Sequence, residues 1–304
     1  MTLRRATMLA AMLVGVTSGI VRAQDMEPRA YSNTPVGMNF VLVGYGYTQG
    51  GVATDPALPL KDTSVHVHST VAAYAHAFDL LGHSAKVDVM LPYGWASGSA
   101  TLAGQSRKRD VDGFGDPRFH ISANLYGAPA LTLEQFPGWQ QDVIVGASIA
   151  VTAPLGQYDR SKLLNIGTHR WSVRPEIGLS KALGPLTLEI IPSATIYSDN
   201  HDFLGSHTRE QAPVYSVQGH LIYSMRFGLW GSVDGTYYGG GRTTVDGRSS
   251  DDGLNNARVG GTLAIPVDRH DSIKLYGSTS VMHRPGGGFD VVGLAWQFRW
   301  GGGL

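Results

Sequence analysis

Along most of the chain, apolar and polar residues alternate with a period of two. In residues 116–126, Pro117, Phe119, Ile121, Ala123 and Leu125 fall on one side; Asp116, Arg118, His120, Ser122, Asn124 and Tyr126 fall on the other. Successive side chains of a strand point to opposite faces, so this run predicts a strand with one apolar and one polar surface. The pattern recurs. Val65, Val67, Val71, Ala73, Ala75 and Ala77 oppose His66, His68, Thr70, Tyr74 and His76. Val87, Val89 and Leu91 oppose Lys86, Asp88 and Met90, and a further strand follows over residues 143–151. Val173 and Ile177 oppose Arg174 and Glu176, and Leu188 and Ile190 oppose Glu189, with Tyr197 on the same polar side. Further on, the polar sides carry His220, then Trp230 with Asp234, then Arg258, then Lys274 with Tyr276, and finally Arg299. Residues 39–47 read as the first strand, but both faces are apolar and the register stays open.

These runs make twelve strands, most of about 10–14 residues, long enough to cross a bilayer at barrel tilt. Connections near residues 80, 184, 226 and 269 are short, whereas those near 55, 103, 161, 206 and 246 are long. Short turns at one end and long loops at the other are the expected asymmetry of a transmembrane barrel. Residues 127–141 are long for a turn and 285–288 short for a loop. A soluble sandwich alternates in the same way. Strand length, and aromatic residues near strand ends (Tyr45, Tyr93, Tyr126, Trp171, Tyr237, Trp300), favour an all-β antiparallel transmembrane barrel. In hydrocarbon only a closed barrel pairs every strand edge.

Composition adds exclusions. The 304 residues include 24 basic, 24 acidic and no Cys, which removes disulfides, thiolate metal sites and any electrostatic case for a nucleic-acid partner. Arg4 and Arg5, the apolar run 6–20 and Val21-Arg22-Ala23 read as a cleavable export signal over residues 1–23. Residues 24–304 would then be the barrel domain, opened by a short polar lead. Export points to the bacterial outer membrane.

Specific sequence also speaks. Residues 290–300, Asp-Val-Val-Gly-Leu-Ala-Trp-Gln-Phe-Arg-Trp, resemble the closing strand of the outer-membrane family named for the meta pathway of phenol degradation. Pro35-Val-Gly-Met-Asn-Phe40 with Gly44-Tyr45, Gly113-Phe-Gly-Asp116, Ala153-Pro-Leu-Gly-Gln-Tyr-Asp159, Asn165-Ile-Gly167, Trp171 with Pro175-Glu-Ile-Gly178, and Asp199-Asn200 fit in the same order. The resemblance implies passage of small, often aromatic or hydrophobic, compounds, with no catalytic set to transfer. The tail Gly301-Gly-Gly-Leu304 departs from the aromatic end common in such barrels.

The ionisable candidates for lining or selectivity are Lys86, Asp88, Asp116, Arg118, His120, Arg174, Glu176, Glu189, His220, Asp234, Arg258, Lys274 and Arg299. They would pair across the lumen or set a field along a pore. Tyr74, Tyr126, Tyr197, Trp230 and Tyr276 are aromatic lumen candidates, able to stack on an aromatic solute or simply to fill space. His120 near Ser122 leaves an outer-membrane hydrolase as an alternative, although no G-x-S-x-G motif is present. A structural barrel with a plugged lumen is another. No cofactor or metal is implied. The expected partners are outer-membrane lipid and lipopolysaccharide, a small-molecule solute, and the barrel-assembly machinery through the C-terminal strand.

Overall fold

The structure, a computed structural model, describes residues 26–50, 61–102, 105–162, 164–283 and 287–304. The expected export signal, residues 1–23, lies outside them, as does most of the first long loop. The strands are β1 (Met38–Gly50), β2 (Lys61–Leu80), β3 (His83–Leu102), β4 (Gln105–Phe114), β5 (Arg118–Tyr126), β6 (Val143–Thr152), β7 (Ser172–Leu183) and β8 (Leu186–Tyr197). They continue with β9 (Asn200–Phe203), β10 (His207–Gln211), β11 (Val214–Ser224), β12 (Trp230–Gly240), β13 (Thr243–Val245), β14 (Arg248–Ser249), β15 (Leu254–Pro266), β16 (Asp271–Met282) and β17 (Phe289–Gly301).

Every barrel pairing is antiparallel, and β1 pairs with both β2 and β17, so the sheet closes. Because β4 and β5 share one position in the wall, the closed sheet has twelve strand positions. Phe119, Val173 and Leu294, which a soluble sandwich would bury together, are 50%, 39% and 48% exposed on the outer surface. An all-β cylinder with apolar residues outside is the solution that hydrocarbon permits. None of the described helices is long and apolar enough to cross a membrane; the strands do so.

Three long connections carry structure of their own. β9, β10, β13 and β14 form a small four-stranded sheet over the long-loop end, where the alternation had suggested only polar loops. Residues 94–113, expected as a loop, instead extend β3 and β4 as a long hairpin, paired from Tyr93↔Phe114 to Leu102↔Gln105.

The column made by β4 and β5 is broken at Gly115-Asp116-Pro117. Proline lacks the N–H that a ladder needs, so pairing stops there. Below the break β5 pairs with β6. Above it, loop residues 153–171 take over: Gln157 N–H donates to Phe114 O, and Gly156 and Thr168 N–H groups each donate to the Asp116 carboxylate at 2.9 Å. Leu164 and Ile166 from this loop pack inside on Val65, Val67 and Ala96.

β2 corrects the expected orientation. Val65, Val67, Val71, Ala73, Ala75 and Ala77 are buried inside, while His66, His68 and Tyr74 look outward. Alternation separates two faces but does not say which one turns in. Small side chains suit a crowded interior, and amphipathic rings suit the membrane interface. Outside, Tyr45 Oη lies 2.6 Å from His68 Nδ1 and Tyr47 Oη 2.7 Å from His66 Nδ1. β1 settles the same way, with Met38, Phe40 and Leu42 inside and Val43 and Tyr45 outside.

Candidate functional site in the barrel lumen

Residues 26–37 precede β1 and enter the barrel. Residues 27–32 form a tight turn, with Ala30 N–H donating to Glu27 O and Ser32 N–H to Arg29 O. This segment belongs to no strand and is held chiefly by side chains of the wall. Glu27 N–H donates to Gln218 Oε1 at 3.1 Å, and the Glu27 carboxylate accepts from Arg118 Nη1 at 3.1 Å and Arg174 Nη2 at 3.3 Å. Arg29 N–H donates to Glu189 Oε2 at 2.7 Å, and its guanidinium lies 5.3 Å from the Trp230 ring centroid. Lys86 Nζ donates to Ala30 O at 2.6 Å. Charge-assisted hydrogen bonds of this kind are the stronger class, and forked guanidiniums match carboxylate geometry.

Tyr31 is the apolar anchor, 2% exposed. Its ring lies over Gly146 and Gly178, which face each other on β6 and β7; a Cβ on either would sit 2.1 Å from a ring carbon. Glycine at both positions makes the niche. The Tyr31 hydroxyl meets Ser148 Oγ at 3.1 Å; Ser148 also reaches Glu176 Oε2 at 3.0 Å, and Glu176 pairs with Arg174 Nε at 3.1 Å.

The remaining candidates fall around this centre. All the ionisable candidates except Asp116 turn inward. His120 Nδ1 lies 2.8 Å from Asp88 Oδ1. His220 and Asp234 form a second pair at 2.7 Å, and Asp234 Oδ2 also accepts from Ser232 and Thr262. Arg258 donates to Ser278 Oγ and stacks 3.6 Å from the Phe289 centroid. Lys274, 2% exposed, has no hydrogen-bond partner for Nζ among the described residues. Arg299 donates to Arg269 O at the short-turn rim. Asp116 is a correction: it clamps the loop at the wall break instead of lining the lumen.

Of the aromatic candidates, Trp230 is buried inside against Ile222 and Ala264, Tyr276 lies over Gly293, and Tyr197 packs inside beneath the Arg170 guanidinium. Tyr74 and Tyr126 are corrections, since both face outward. Tyr74 follows the inverted face of β2. A β-bulge between Asn124 and Tyr126 shifts the register and turns Tyr126 out, 64% exposed.

The inner wall is therefore two-sided. Along β1 and β2, joined by Met90 of β3 and Ala295 of β17, it is apolar: Met38, Phe40, Leu42, Val71, Ala73, Ala75, Ala77, Met90 and Ala295 form one cluster, while Lys86 and Asp88 on β3 and Gln297 and Arg299 on β17 are inward polar groups. From β5 round to β16 it is largely polar and charged.

Residues 42–297 match the family model described as "Putative MetA-pathway of phenol degradation". The chain belongs to this phenol-degradation family. Among solved structures, the chain is similar to the COG4313 outer membrane channel from Pseudomonas putida F1. The TM-score is 0.78 at 23% identity, covering 91% of this chain and 100% of that one. It is more distantly similar to the transport unit of the autotransporter AIDA-I from Escherichia coli, with TM-score 0.50 and 8% identity over 91% of this chain and 93% of that one. At these identities the likeness shows the fold alone, that of an outer-membrane β-barrel. No curated protein matches the sequence.

Glu27, Arg29 and Tyr31 were not legible as functional residues, because residues 24–34 read as a polar lead. A signal was present: Met26-Glu-Pro-Arg-Ala-Tyr31 mixes charge and an aromatic where a spacer needs neither.

Proposed function

We propose that this protein is an outer-membrane channel for small hydrophobic solutes, aromatic ones included, with residues 26–32 as its internal gate. The observation that carries this reading is how the obstruction is built. The segment inside the barrel is anchored through wall side chains, not by strand pairing, so it can leave while the wall remains intact. An apolar inner strip on β1 and β2, joined by Met90 and Ala295, gives a solute of low polarity a surface to follow. Family membership supports the same direction.

The test is uptake of radiolabelled toluene into proteoliposomes, with wild type, protein lacking residues 26–32, and empty vesicles. Uptake above the empty-vesicle rate, faster after deletion, is expected. Uptake at the empty-vesicle rate from both proteins would leave the plugged structural barrel instead. The hydrolase alternative gains little from the geometry: among the described residues His120 Nε2 has no hydrogen-bond partner, so no hydroxyl is held by that ring nitrogen.

A further inference from the structure

Within that channel reading, the Glu27 contacts carry a more specific one. Glu27 is a carboxylate on a detachable segment, seated between two guanidiniums that belong to the wall. Arg118 and Arg174 are neighbours across β6: Arg174 pairs in register with Ala150, Ala150 with His120, and Arg118 lies two residues before His120 on β5. Their positions do not depend on Glu27, because both sit on paired strands and Arg174 is also tied to Glu176. The site is thus a preformed carboxylate cradle whose present occupant happens to be part of the same chain.

The cradle adjoins the apolar wall directly. Arg118 is in register with Met90, Met90 with Ala73, and Ala73 with Leu42, all on one row round the barrel. Met90, Ala73 and Leu42 belong to the apolar cluster. Going from β5 to β1 takes three interstrand steps, roughly 14 Å. One end of this row presents a fork of N–H donors and the other a strip of methyl and thioether surface. The facing groups on the polar side are Asp88, His120, Glu176 and Lys86, so a second negative charge on a ligand would meet Asp88 and Glu176.

We propose that Arg118 and Arg174 are the headgroup subsite of this channel, that Glu27 occupies it as a built-in substitute, and that the ligand replacing Glu27 is a monocarboxylate with an apolar alkyl or aryl body lying along Met90, Ala73 and Leu42. Binding such a ligand removes the ion pairs that hold residues 26–32, so occupancy and opening are linked. A ligand shifts an equilibrium only by its differential affinity for the two states, and competition for one cradle supplies that difference.

The experiment is isothermal titration of octanoate and octanol into protein in non-ionic detergent, for wild type, Glu27→Gln and the Arg118→Gln/Arg174→Gln double variant. Heat-modifiable migration on a gel establishes that each barrel is folded. Octanoate should bind Glu27→Gln at least tenfold more tightly than wild type, with octanol changing less than twofold. The double variant should no longer distinguish octanoate from octanol. If the double variant does not fold, Glu27→Gln and Arg174→Lys, which keeps the charge but loses the fork, carry the comparison. Equal tightening for both ligands in Glu27→Gln, or no tightening for octanoate, overturns the subsite. Failure here leaves toluene uptake untouched, whereas failure of uptake removes the channel itself.

Discussion

Replacing Gly178 with Ala isolates the plug from the charges that also hold it. The new methyl would lie 2.1 Å from Tyr31 Cδ2 and Cε2, about half a normal carbon–carbon contact, so the ring cannot stay in its niche. Undocking a ring that is 2% exposed forfeits about 2–3 kcal/mol of apolar burial. Loss of the hydroxyl contact with Ser148 adds about 1 kcal/mol. Together these make about 3–4 kcal/mol, roughly a 100- to 700-fold shift from docked toward undocked segment. Glu27, Arg118 and Arg174 themselves are unaltered in this variant. Single-channel recording in planar bilayers should show longer or larger openings than wild type. Tyr31→Ala, which leaves the wall unchanged, should act in the same direction. If both variants fold and both conduct as wild type does, the segment is not the obstruction and the reasoning fails.

Asp116→Ala removes the acceptor for two loop N–H groups, at a local cost of about 1–3 kcal/mol; trypsin should then cut at Arg160 or Lys162 faster, and an unchanged rate would refute the clamp. Asp234→Ala strands His220, Ser232 and Thr262 in the interior and should lower unfolding free energy in urea by about 3 kcal/mol; a loss under 1 kcal/mol would count against the pair. The hydrogen bond from His207, joined by the Thr208 N–H, holds the Asp246 carboxyl below the ordinary aspartate value of 3.8. A depressed carboxylate contributes stability above its unfolded value that is lost as pH falls through the folded one, so the small outer sheet should loosen only in strong acid. Carbon NMR should show the Asp246 midpoint rising toward 3.8 in His207→Ala, and an unmoved midpoint would sink this assignment.

The period-two pattern in the sequence was sufficient for the fold class, for twelve strand positions and for an apolar exterior. That information is local: each residue needs only its neighbours two places away to declare a face. It also marked Arg118, Arg174, Glu176 and Glu189 as inward, since ionised groups are costly against lipid. Which face of β2 turned in was not local, because His and Tyr are tolerated both in a wet lumen and at a membrane interface. Tyr74 therefore went to the outside, where its hydroxyl donates to Asn39. Tyr126 depended on a bulge that one strand imposes on another. The seat of Glu27 depended on partners 91 and 147 residues away in the chain, and that of Tyr31 on a pair of glycines 32 residues apart that meet only across β6 and β7. Spacing along one chain cannot encode such meetings; the closed sheet creates them by fixing the stagger between strands, and with it the interior in which the segment is seated.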